Sequence, residues 1–138
     1  MIRGLKLWTA FLADFASPAN GLLQVVNGGI NALFRPAFPA PMKVYLAGFL
    51  QISPEYDGRT VPVSFIVRSA ENDDVCARVD AESAYPRLDG QTQPALVPFV
   101  VDLTEVQLPR TGEFIAIASI AGEQIAIEFQ ALPPRTEA

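Results

Sequence analysis

The sequence predicts an all-β protein: about eight strands in a two-sheet β-sandwich of immunoglobulin-like or jelly-roll topology. Twelve prolines and nine glycines are spread through all 138 residues, so few windows are free of both helix breakers. The apolar runs between them are short, and several alternate with a period of two. Half of the residues are hydrophobic and only 18% are charged, enough apolar material for a core without disulfides or metals. One domain over residues 1–132 is expected, with 133–138 as a flexible C-terminal tail behind Pro133-Pro134.

The elements follow in order. Leu5–Ala16 is rich in aromatic residues and apolar at both parities, with Leu7, Phe11, Ala13 and Phe15 on one face and Trp8, Ala10 and Leu12 on the other. Such a strand is covered on both sides. Ser17–Gly21 is a turn, because Asn20-Gly21 takes positive φ at little cost. Leu22–Phe34 returns as the second strand, with a bulge or bend at Asn27-Gly28-Gly29. Pro36, Pro39 and Pro41 make Arg35–Pro41 an extended connector between sheets. Lys43–Ile52 and Val61–Ser69 are strands, separated by the loop Ser53–Arg59. After the polar turn Ala70–Asp74, Val75–Glu82 alternates again, placing Cys76 with Arg78, Asp80 and Glu82 on its polar side. Val75 and Val79 are also four apart, as in a helix, but period two fits better. Ser83–Pro94 is a long loop and so a candidate functional one. Ala95–Leu103, Glu113–Ile120 and Glu123–Gln130 complete the strands, the last two joined by a hairpin turn at Ala121-Gly122.

Three stretches together resemble a known family. They are Phe11–Ala16 followed by Leu22–Phe34 with its Asn27-Gly28-Gly29, the proline segment Phe34–Pro41 leading into Leu46-Ala47, and Leu108–Phe114 running to Ala121-Gly122. The order is similar to a family of uncharacterised bacterial β-sandwich proteins of the domain-of-unknown-function type. There an Ala-Asp-x-Ala strand, a Gly-Gly bulge and a Pro-x-Gly-x-aromatic hairpin recur. The resemblance implies the fold and no activity. The Ala121-Gly122 turn departs from it, since a more polar pair is expected there.

Composition narrows function further. There is no histidine and one cysteine, Cys76, so His-based catalysis and an internal disulfide are both excluded. Cys76 reads as a partly buried, inert thiol. The net charge of −5 argues against a nucleic-acid surface, and the strip Arg35, Lys43, Tyr45, Tyr56 and Arg59 is too thin to reverse that. No window of 18 apolar residues predicts a membrane-spanning helix. Arg3, Lys6 and Leu7–Ala13 make only a short imitation of a signal peptide, interrupted by Asp14, so a cytoplasmic protein is expected. The charge is unevenly divided, six basic and three acidic residues in 1–69 against four basic and twelve acidic in 70–138. Complementary patches of that kind favour chain-to-chain contact.

Three candidate sites emerge. Asp14 lies inside an apolar strand and needs donors, for which the hairpin offers Asn27, Gly28 and Gly29, a structural or ligand-binding nook. On that reading Asp14→Ala costs about 1–3 kcal/mol. The Glu71-Asn72-Asp73-Asp74 turn is a candidate calcium site that lacks the spaced loop pattern. Trp8, Ala10 and Leu12 form a candidate interface. No cofactor is expected. The function expected is a non-catalytic interaction or assembly module, not an enzyme, that self-associates as a homo-oligomer, the dimer being the commonest closed form, or that binds a protein partner. The alternative is a ligand-binding sandwich holding a small molecule, sugar or calcium in its end loops.

Overall fold

Eleven strands build three sheets in a computed structural model that describes residues 2–134. They are β1 (Leu5–Ala19), β2 (Leu22–Gly28), β3 (Ala32–Phe34), β4 (Ala40–Pro41), β5 (Tyr45–Ile52), β6 (Val61–Ser69), β7 (Val75–Ser83), β8 (Ala95–Asp102), β9 (Gln107–Leu108), β10 (Gly112–Ile120) and β11 (Glu123–Leu132). The chain is all-β. One sheet runs β2-β1-β5-β8, a second β3-β11-β10-β6-β7, and β4 pairs with β9. Leu12, Leu46, Leu50 and Ile52 of the first sheet share one core with Val61, Val67, Phe114, Ile120 and Phe129 of the second. Burying side chains of this kind stabilises by about 1.5–3 kcal/mol each. Residues 135–138, most of the expected tail, lie outside the described residues.

Every expected strand is present, and Val75–Ser83 is a strand rather than a helix. Three local departures have physical causes. First, the segment expected as one strand from Leu22 to Phe34 is two. Asn27 and Gly29 both take left-handed φ, and the amides of Gly29 and Ile30 both donate to the Leu12 carbonyl. The chain there leaves the first sheet, and β3 joins the second in parallel with β11. The glycine pair marks a first change of sheet, and the proline connector, as expected, then carries the chain between sheets, from β3 in the second by way of β4 to β5 in the first.

Second, β1 continues through Pro18. Beyond Ala13 it pairs with β2 alone, and a strand with one free side tolerates a residue without an N–H. Asn20-Gly21, both at positive φ, then closes the hairpin. Third, the register of β1 on β5 shifts between Leu7 and Thr9, a bulge at Trp8. The Leu7 amide donates instead to Glu123 Oε1, at the start of β11 in the other sheet, at 2.9 Å. A bulge reverses the alternation of side chains. Leu5 and Leu7 are therefore buried before it, Leu12 is buried after it, and Trp8 stays outside.

The proline segment is held by Arg35. Its guanidinium donates to the carbonyls of Phe34, Pro41 and Met42, so one half-buried side chain ties both ends of the connector. Arg35→Ala is expected to lower the unfolding free energy by about 2–3 kcal/mol, because several partly buried acceptors lose their donor. Urea denaturation measures it. A loss below about 0.5 kcal/mol would show that water replaces the guanidinium without cost.

Candidate interaction surface

The register of the four-stranded sheet fixes which side chains share a face, since residues directly opposite one another point the same way. Thr9, Phe49 and Pro98 form one row, and Phe11, Ala47 and Val100 the next. Gly28, Ala13, Tyr45 and Asp102 follow, then Val26 and Phe15. None of these is in the core cluster, although Leu12, Leu46 and Leu50 between them are. The rows therefore define the outer face of the sheet. Trp8 joins them from the bulge, its ring edge-on to Phe49 at 6.3 Å, and Phe15 meets Tyr45 at 5.4 Å.

The centre of this face is apolar, with Lys6, Gln51 and Asp102 towards its ends, and it is open at Trp8, Phe15 and Val26 while Ala13 and Ala47 are covered. Five of the thirteen aromatic residues lie on it, namely Trp8, Phe11, Phe15, Tyr45 and Phe49. Trp8 is 52% exposed, Phe15 44% and Val26 51%. Leu22, Val25 and Leu96 are exposed around it. From Phe15 to Phe34 the sequence has no charged residue at all. The outer face of the five-stranded sheet is different. There Ile66, Ile115 and Ile117 are interspersed with Arg68, Arg78, Asp80, Glu82, Glu113 and Glu128, the mixed surface of a sheet that faces water.

The expected interface trio is thus divided. Trp8 is on the outer face, whereas Leu12 is fully buried and Ala10 packs against the core. The residues that accompany Trp8 are Phe11 and Phe15, which alternation had placed on the opposite side. The bulge is the reason.

The Asp14 site is simpler than expected. Asp14 and Asn27 stand opposite each other, and Asn27 Nδ2 donates to Asp14 Oδ2 at 2.6 Å. Both residues are exposed. The expected glycine donor is engaged elsewhere, the Gly29 amide donating to the Leu12 carbonyl. No desolvated carboxylate remains, so Asp14→Ala should cost about 0.5 kcal/mol or less rather than 1–3. An unchanged denaturant midpoint is the expected result, and a loss above about 1 kcal/mol would restore a structural role.

The other candidates do not converge. In the 71–74 turn, Glu71 Oε1 accepts from the Glu113 amide, Asp73 pairs with Arg68 at 2.6 Å, and Asn72 accepts from the Asp74 amide. These groups hold the turn together. Among the described residues no group of three or more metal-ligating side chains comes together. The long loop is anchored where the Tyr85 amide donates to the Tyr56 hydroxyl, itself bonded to the Arg59 carbonyl. The basic-aromatic strip is dispersed, because Tyr56 is buried, Arg35 is spent on carbonyls, and Arg59 is bound to Asp57. That last contact lowers the Asp57 carboxyl to about 2, chiefly through the Arg59 hydrogen bonds.

Cys76 is partly buried, as expected, but not on the expected face. A register shift beside Val67 leaves it as the extra residue of a second bulge, packed against the core instead of on the polar side. Burial raises its thiol above the ordinary value. A neutral thiol is a poor nucleophile. Alkylation at pH 8 is expected to be at least about tenfold slower in the native protein than in urea, followed by mass spectrometry. Equal rates would place Cys76 in solvent.

A model of a family of unknown function, DUF6941, matches residues 9–129. The chain belongs to DUF6941. The match takes in most of both larger sheets, including Phe11, Phe15 and the rest of the outer apolar face except Trp8 at its border. No curated protein matches the chain.

Proposed function

We propose that this DUF6941 chain is a non-catalytic interaction and assembly module that self-associates through the outer face of the four-stranded sheet. The observation that carries the reading is that face: aromatic, uncharged at its centre and exposed at Trp8, Phe15 and Val26. Soluble monomers seldom leave a contiguous apolar patch of this kind bare. Four strands and about eight residues give a face of roughly 19 by 26 Å. With the exposed side chains of the β1–β2 hairpin added, it nears the scale of a standard interface, about 800 Å² per partner. A two-fold dimer is the simplest assembly that covers it.

The same proposal takes the two larger sheets as the layers of an immunoglobulin-like or jelly-roll sandwich in the cytoplasm. The shared core supports the layering, and the single cysteine is compatible with a reducing compartment. It is a non-enzymatic reading. Without histidine, and with its one thiol held neutral, the chain sets up no acid–base or nucleophilic pair of the usual kinds.

Light scattering on the eluting protein tests it. At tens of micromolar the wild type is expected to be an oligomer, and Phe15→Glu, which alters an exposed residue, to have a lower mass with an unchanged circular dichroism spectrum. A monomeric wild type would end the proposal.

A further inference from the structure

The five-stranded sheet ends on β7, whose second side pairs with nothing among the described residues. Its nine residues contain no proline, and Val75 and Val79 are 57% and 49% exposed. An open edge of that length offers a ladder of free donors and acceptors. We propose that β7 pairs antiparallel with β7 of a second copy about a two-fold axis at Val79, so that one sheet runs through both copies. This contact uses a surface separate from the outer face of the four-stranded sheet and stands independently of that reading.

The charges select the register. Residues opposite one another share a face, so a continuous buried face requires the axis to pass through a residue rather than between two. With the axis at Val79, Arg78 meets Asp80 of the copy and Asp80 meets its Arg78, while Ala77 meets Ala81 and Val79 meets its own counterpart. Within the chain Arg78 Nε already lies 2.8 Å from Asp80 Oδ2, and both side chains are more than half exposed. Pairing would join four alternating charges. The neighbouring registers fail. An axis at Arg78 or Asp80 sets that residue against itself, and an axis at Ala81 sets Asp80 against Glu82. Pairing also covers a partly open apolar seam. Val79 is opposite Phe65, whose ring lies 6.0 Å from that of Phe99 on β8. The two-fold axis brings this seam against its own copy.

The test is a complementary charge swap in the Phe15→Glu background, where face contact is removed. That protein is expected to be a dimer by light scattering. Adding Arg78→Glu, or separately Asp80→Lys, places like charges opposite each other twice and should give monomers. Mixing the two variants in equal amounts restores unlike pairs at both positions, so a dimer should return. Circular dichroism checks that each variant is folded. A monomeric Phe15→Glu protein, singly swapped variants that stay dimeric, or a mixture that stays monomeric each overturns the β7 contact. If Phe15→Glu leaves the wild-type mass unchanged while Arg78→Glu halves it, the face reading fails and the edge contact stands.

Discussion

Gly48→Ala is expected to destabilise the fold by about 3–5 kcal/mol, near the upper end for a single substitution. Gly48 lies in β5, between Ala10 of β1 and Phe99 of β8. A Cβ built there falls 2.0 Å from the Thr9 carbonyl oxygen, 2.9 Å from Ala10 Cα and 2.7 Å from the Phe99 ring. The first two are backbone atoms of a paired strand and cannot swing aside. The bulge at Trp8 lies immediately before Thr9, whose carbonyl lies over Gly48. Adding one methyl therefore forces β1 and β5 apart where most of the first sheet is joined. Gly28→Ala is the control: its Cβ would meet the side chains of Val25 and Phe11, which can yield. Urea midpoints at constant slope measure both. A loss below about 1 kcal/mol at Gly48 would show that the Thr9 carbonyl moves freely.

The strand segments were legible because proline and glycine punctuate the chain and the apolar residues alternate. Alternation is also where legibility ended. A bulge adds one residue and inverts every assignment beyond it, and this chain has one at Trp8 and another at Cys76. Neither carries a glycine or any other local mark. The Trp8 bulge is supplied with a hydrogen-bond acceptor by Glu123, 116 positions away, and no window of sequence holds that information. Asn27-Gly28-Gly29 did carry a mark, but positive φ reports only that the chain turns. Which sheet it turns into depends on β11, more than a hundred residues later. At Ala121, expected to be more polar, the reason is again tertiary. The residue is buried, and its amide caps the Pro62 carbonyl.

The surface was half legible for the same reason. That β1 is apolar at both parities could be read directly, and so could the consequence that both of its faces need cover. Which residues take which face could not be read before the bulge was located. The twenty-residue uncharged run Phe15–Phe34 was an available signal for an exposed apolar hairpin. The Asp14 pairing was legible down to Asn27, because counting outward from a two-residue turn fixes the register. Its exposure was not, since that depends on β5 ending opposite Ala13.

Trp8→Glu and Leu12→Glu, four residues apart, should have opposite consequences. Trp8 is half exposed on the outer face, so a carboxylate there remains hydrated in the monomer and the fold should persist. Burying the indole at a contact is worth roughly 1.5–3 kcal/mol. In a two-fold contact the loss is counted twice, so dissociation at the face should strengthen by at least about a hundredfold, enough to break that contact at tens of micromolar and leave the dimer joined through β7. Leu12 is buried without exposure between the two larger sheets. A carboxylate there is desolvated without a partner, and the chain should fail to fold. Light scattering and circular dichroism on both variants decide the matter. Were Trp8→Glu to unfold the protein, the indole would belong to the core. Were it to fold and keep the wild-type mass while Phe15→Glu lowers it, the face contact would be centred on the β1–β2 hairpin and the bulge would lie at its rim.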